Sequence, residues 1–166
     1  MVTGILALVA ELIWYKKNHS NVVAVSLIGL LFSGFLVIQQ WGRVDEEVIA
    51  QMVLVDRVGI VSQLLLICCC FVAILFSQGY LKEKQINFGE FYPLSVWATG
   101  GAMLMATSKN LLVIFLGLEV LSIALYVMAG MSRRENKSEE SALKYFLLGA
   151  FASGFLLYGA DRKSVV

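Results

Sequence analysis

Residues 111–130 read LLVIFLGLEVLSIALYVMAG, twenty residues whose only charge is Glu119. A predominantly apolar run of about 20 residues is what an α-helix needs to cross the hydrocarbon core of a bilayer. Glu119 stands ten positions after Lys109, which is about 15 Å along a helix rising 1.5 Å per residue. That depth is close to mid-membrane, too far from either surface for so short a side chain to reach water.

Outward from this stretch, charged residues bracket further apolar runs. No charge occurs between Lys17 and Arg43, between Arg57 and Lys82, or between Glu90 and Lys109. The expected spans are 22–41, 58–80, 91–108, 110–131 and 142–160, with a shorter first one at 2–15 that contains Glu11. The 2–15 stretch lacks the basic start and small-residue cleavage site of a signal peptide, so it reads as a first helix missing its beginning. Composition agrees. Hydrophobic residues make up 59% and charged residues 15% of the 166-residue chain, against about 45–50% and about 25% in ordinary soluble domains. The mean hydropathy is +0.80. A soluble domain of this length has no means of hiding so much apolar surface, so lipid must cover much of it.

The runs are continuous rather than alternating, which excludes barrel strands. In lipid a helix satisfies its own backbone hydrogen bonds. The expected fold is therefore all-α, a polytopic transmembrane bundle of about six helices, with residues 1–160 as one unit. The only proline, Pro93, falls in the first turn of its span, where a missing N–H costs little. Gly149 and Ser153 lie four apart and allow close helix approach. Lys16, Lys17, Lys82, Lys84, Arg133, Arg134 and Lys137 fall after odd spans; Arg43, Arg57 and Lys109 fall after even ones. The basic excess places the odd connections in the cytoplasm and the N-terminus outside.

Few residues carry chemistry. An ionisable group inside the membrane is costly and is by default a functional candidate. Burial disfavours a carboxylate and a nearby cation favours it, so a carboxyl held between the two can exchange a proton. Ser122 and Tyr126 follow Glu119 at i+3 and i+7 and share its face. Lys144 opens the last apolar run with Glu140 at i−4, which permits pairing on one helix face. The pair reads either as an ion-handling group or as an interfacial anchor and a solvated helix start. Cys68, Cys69 and Cys70 point in different directions around a helix and read as small apolar packing. Trp41, Tyr80, Tyr92 and Tyr158 read as interfacial anchors, and His19 as a solvated residue of a short connection. One His and three Cys make no familiar zinc or iron–sulfur site. A net charge of +1 gives no field for nucleic acid, and no phosphate-binding loop or nucleophile motif occurs.

The run 111–130, together with SALKYFLLGAFASGFLLYGA at 141–160, strongly resembles subunit N of bacterial proton-pumping NADH–quinone oxidoreductase, respiratory complex I. Residues 56–80 and 89–91 also resemble that family's third helix and the residues after it, whereas the first two spans fit only in hydropathy. The resemblance implies an antiporter-like membrane subunit that moves protons, driven by electron transfer from NADH to quinone in neighbouring subunits. It implies no cofactor bound by this chain; NADH, flavin, iron–sulfur clusters and quinone would belong to the parent complex. The implied partners are other membrane subunits of complex I and the lipid bilayer, with no nucleic acid, and the implied location is the bacterial inner membrane. Glu119 resembles the family's mid-helix proton-handling glutamate, Lys144 the lysine of its KYFLLG segment, and Glu140 the acidic residue just before it.

The family has about fourteen helices, and this chain reaches its sixth. Past Gly159 the family stays apolar, whereas this chain continues as Asp161–Arg162–Lys163–Ser164–Val165–Val166. Those six residues resemble the translation of a sequencing-library adapter and are expected to be a non-native tail, the alternative being a native polar tail. The competing readings are a subunit of a multi-subunit cation/proton antiporter or membrane hydrogenase, which would keep the embedded acid, and a structural membrane protein, which would not need it.

Overall fold

The structure, a computed structural model, describes residues 19–42, 46–48, 52–83, 89–132 and 136–163. The expected span at 2–15, with Glu11, lies outside the described residues, as do Lys16, Lys17, Arg43, Lys84, Arg133 and Arg134. Five helices are described: α1 (His19–Gln39, continued by a 3-10 turn at Gln40–Gly42), α2 (Arg57–Glu83), α3 (Phe91–Ala106), α4 (Leu111–Ala129) and α5 (Asn136–Lys163). Two short strands, β1 (Glu46–Val48) and β2 (Val53–Val55), pair antiparallel between α1 and α2.

Local chemistry sets the helix boundaries. Asp56 caps α2, its Oδ1 accepting the Gly59 N–H at 2.8 Å. Asn110 caps α4, its side chain accepting the Leu112 N–H at 2.9 Å. Each satisfies one of the donors a helix start leaves free. Pro93 lies buried in the first turn of α3, where its missing N–H breaks no helix bond.

Helices α1, α2, α4 and α5 are each long and apolar enough to cross a membrane. Helix α3 is not, with 16 residues, or about 24 Å of rise against a core of about 30 Å. The expected span 91–108 stops at Ala106 because the next residues join the hairpin. Leu54 N–H donates to the Thr107 carbonyl and Lys109 N–H to the Met52 carbonyl, both at 2.9 Å, and Val53 bridges Ser108. The α1–α2 and α3–α4 connections are thereby tied together at one end of the bundle.

Helices α1, α2 and α3 enclose the core, built on Val22, Leu30, Ile60, Ile67, Ile74 and Val96. Tyr92 is also in this core and packs edge-on against Phe91. Its expected role as an interfacial anchor is corrected, since α3 is the inner helix and its first turn faces protein. Trp41, Tyr80 and Tyr158 are exposed near helix ends, as an anchor requires. The cysteines divide: Cys70 is buried and Cys68 and Cys69 are exposed, so only one of the three packs in the core. Exposed Phe32, Phe35, Leu65, Phe76 and Leu116 line the outer faces. Apolar surface on that scale is what hydrocarbon covers in a membrane bundle.

Helix α3 meets α4 backbone to backbone. A Cβ on Gly101 would stand 2.6 Å from the Gly117 carbonyl oxygen and 2.8 Å from Leu121 N. A Cβ on Gly117 would stand 2.8 Å from the Gly101 carbonyl oxygen. Only glycine permits this approach.

Candidate functional site

Glu119 is the ninth of the 19 residues of α4, almost its midpoint. Gly117 faces α3, and two residues at 3.6 per turn carry Glu119 roughly 200° around the helix. The carboxyl therefore lies on the side away from the glycine crossing. It is half-buried, beside a stripe of exposed side chains that includes Leu112, Leu116 and Ile123. Among the described residues no hydrogen bond or ion pair engages it.

Helix α5 runs antiparallel to α4 and covers part of this side. Gly130 lies against Ala142, and Gly149 lies against Tyr126. The half-buried positions of α5 include Ser138, Ala142, Gly149 and Ser153, spaced by four and seven residues as one helix face requires. The Gly149–Ser153 pair singled out in the sequence belongs to this seam. Tyr126 shares the face of Glu119 as expected, yet its ring turns to α5 and meets Tyr145 and Phe146 edge-on.

Lys144 and Glu140 are brought together. Lys144 Nζ donates to Glu140 Oε1 at 2.5 Å, one turn apart on α5, with the side chains 69% and 63% exposed. The helix begins at Asn136, six residues before the expected start at 142, because its first turns are polar and solvated and give no hydropathy signal. The structure does not bring Glu119 to this pair. Ala142 lies level with Gly130, so Lys144 stands on the order of 15 Å along α4 from Glu119 at 1.5 Å per residue.

Sequence reading missed the hairpin and the Gly101–Gly117 crossing. The hairpin's signal was the β-branched Val48, Ile49, Val53 and Val55 in the connection between two expected spans. The crossing left glycines in two apolar helices, visible singly but not as a pair.

Residues 108–161 match the family described as NADH:quinone oxidoreductase/Mrp antiporter, transmembrane. That stretch contains Glu119, Glu140 and Lys144. NADH-quinone oxidoreductase subunit N of Trichlorobacter lovleyi is 39% identical over 158 residues, 95% of this chain and 32% of that protein. Subunit N 1 of Chloroherpeton thalassium is 52% identical over 85 residues, 51% of this chain and 18% of that protein. A chain of respiratory complex I from Thermus thermophilus, solved with bound aureothin, superposes with a TM-score of 0.75 at 30% identity, over 96% of this chain and 35% of that one. The chain thus spans about a third of the length of the curated relatives it matches over most of its own length. Over most of its own length, the chain is similar to NADH-quinone oxidoreductase subunit N and shares the fold of a chain of respiratory complex I.

Proposed function

We propose that this chain is part of the proton-translocating membrane subunit of a bacterial NADH–quinone oxidoreductase, which couples electron transfer from NADH to quinone to proton movement across the membrane. The observation that carries this reading is a carboxyl, Glu119, at the midpoint of a transmembrane helix inside the family-matched stretch. A carboxyl there is too costly to keep without a use. Glu119 takes up and releases the proton; Lys144, paired with Glu140, handles charge at the start of α5. The flavin, iron–sulfur clusters, NADH and quinone belong to other subunits of the complex, which are this chain's partners together with lipid. The subunit sits in the bacterial inner membrane with the N-terminus outside, in line with the basic residues of its connections. Residues 1–160 form the N-terminal part of the subunit's helix bundle, and Asp161–Val166 is a non-native tail without a role; sequencing the source DNA past codon 160 without an adapter tests this.

Replacing Glu119 with Gln in a full-length subunit, within the assembled complex, removes the ionisable proton and keeps the shape. Proton pumping per NADH oxidised is expected to fall steeply; normal pumping would sink the assignment and favour a structural role. A second reading, a subunit of a cation/proton antiporter, is supported by the family description, which names both systems. Sodium-dependent proton flux without any NADH–quinone activity in the assembled complex would favour it.

A further inference from the structure

Helices α4 and α5 meet along a seam of small residues into which one large side chain is set. At one end of the seam Gly130 lies against Ala142, and the Ser138 hydroxyl donates to the Ala129 carbonyl at 2.7 Å. Farther along, Tyr126 reaches from α4 to α5. Its ring centroid lies 4.9 Å from that of Tyr145 at 87°, and 5.6 Å from that of Phe146 at 89°. Its hydroxyl end occupies the space that a Cβ on Gly149 would fill. Gly149 is thus a socket for the Tyr126 ring, and two aromatic edges hold the ring in it.

The location gives this clasp its meaning. Tyr126 is seven residues beyond Glu119, on the same face of α4 and about 10 Å further along. Tyr145 is the residue next to Lys144. A single ring therefore sits on the face that carries Glu119 and touches the turn that carries Lys144. The rest of the seam offers small side chains, which let α5 slide or rotate against α4, whereas an aromatic ring in a socket does not. Packed helices move in discrete steps of this kind because side chains must leave one groove to enter the next.

We propose that Tyr126, seated on Gly149, is a positioning residue for proton transfer, fixing the height and rotation of the Lys144-bearing turn of α5 relative to Glu119. This rests on the reading of Glu119 and Lys144 as proton-handling groups. The ring, rather than the hydroxyl, holds the position, so phenylalanine preserves it.

The test uses a full-length subunit carrying this chain's residues 108–160, assembled in its complex, with protons pumped per NADH oxidised as the readout and subunit content as the measure of assembly. Gly149→Ala puts a methyl where the Tyr126 hydroxyl stands, and Tyr126→Phe removes that oxygen while keeping the ring. We expect Gly149→Ala to lower the pumping ratio by roughly half or more, since it displaces the turn whose charge, on this reading, sets the balance between the charged and neutral forms of Glu119. Tyr126→Phe alone is expected to pump normally, and the double variant to recover part of the loss, as coupled neighbours do in a double-mutant cycle. A normal ratio in Gly149→Ala, or a double variant no better than Gly149→Ala, overturns the proposal. Should Gly149→Ala lower subunit content, Tyr126→Leu is read on the same ratio, because it removes the ring contacts without adding bulk, and normal pumping there overturns the proposal equally. Glu119→Gln separates the two levels. If it stops pumping while the seam variants do not, only the positioning role falls; if it pumps normally, the underlying assignment falls.

Discussion

Replacing Gly101 with alanine places a methyl group against backbone. The added carbon would stand 2.6 Å from the Gly117 carbonyl oxygen, 2.8 Å from Leu121 N and 3.3 Å from Leu121 Cα. A carbon–oxygen contact is comfortable only from about 3.3 Å, so α3 and α4 must part by several tenths of an ångström. None of the three atoms belongs to a side chain that can turn away. Overpacking of this kind costs about 1–3 kcal/mol. Alanine returns about 0.5–1 kcal/mol of backbone entropy relative to glycine in a helix. The net expectation is destabilisation by about 1–2 kcal/mol. Gly79 in α2 supplies the control, since a Cβ there meets nothing within 4 Å. Gly79→Ala keeps the entropy gain alone and is expected to stabilise by about 0.5–1 kcal/mol. The same chemical change thus has opposite signs at two positions. The measurement is reversible unfolding of the chain in detergent micelles by added dodecyl sulfate, monitored by circular dichroism and by tryptophan fluorescence, Trp97 lying in α3. A Gly101→Ala chain at least as stable as the parent would refute the close crossing, and an equal loss in Gly79→Ala would show that the effect is not local contact.

Two other substitutions test the boundaries and the core. Asp56→Ala removes the acceptor of the Gly59 N–H and is expected to cost about 1 kcal/mol, with faster amide exchange at Gly59; unchanged exchange would mean that the cap is not formed. Ile74 is fully buried and Phe76, two residues on, is 78% exposed. Ile74→Ala is expected to cost about 2–5 kcal/mol by leaving a cavity, and Phe76→Ala much less, because detergent or lipid fills the place of the lost ring. Equal losses in the same unfolding assay would contradict the assignment of inner and outer faces.

How much of this was legible depends on the physical effect behind each feature. Hydropathy is a property of single residues, so α1, α2 and α4 were readable within a few residues, as was the mid-helix position of Glu119. The start of α5 was not, because the polar turn from Asn136 to Glu140 helps form the helix through its exposed Glu140–Lys144 pair rather than through apolar content. The end of α3 was not, because the hairpin that takes up Thr107 and Lys109 is a long-range pairing. Tyr92 was placed at an interface because tyrosines near span ends usually are; which face of α3 meets protein depends on its neighbours, and Tyr92 is inside. Gly101 and Gly117 are sixteen residues apart, and only the packing of two helices makes them one feature. For the candidate site, the sequence named Glu119, Glu140 and Lys144 and the contact of the last two. It did not show that Glu119 stands well separated from that pair, nor that Tyr126 spans the interval.

The two sides of α4 differ in a way that bears on how a mid-membrane carboxyl can work. On the α3 side, glycine against glycine leaves no room for adjustment, so the backbone around residue 117 is fixed in height. On the other side lie Glu119, the exposed Leu112, Leu116 and Ile123, and the small-residue seam with α5. A carboxyl facing hydrocarbon costs a few kcal/mol by insertion scales, and that cost falls when a polar or cationic group approaches and rises when it withdraws. If Glu119 handles a proton as proposed, it gains from being held at a fixed height while the charge around it changes. The glycine crossing holds Glu119 near the midpoint of α4 on one side. On the other, Tyr126 seated on Gly149 sets the height of α5, so the charge beside Glu119 is set by that seat. Glu119→Gln removes the proton and leaves both faces unchanged, which is why that substitution, rather than a truncation or a change of bulk, isolates the chemistry from the scaffold.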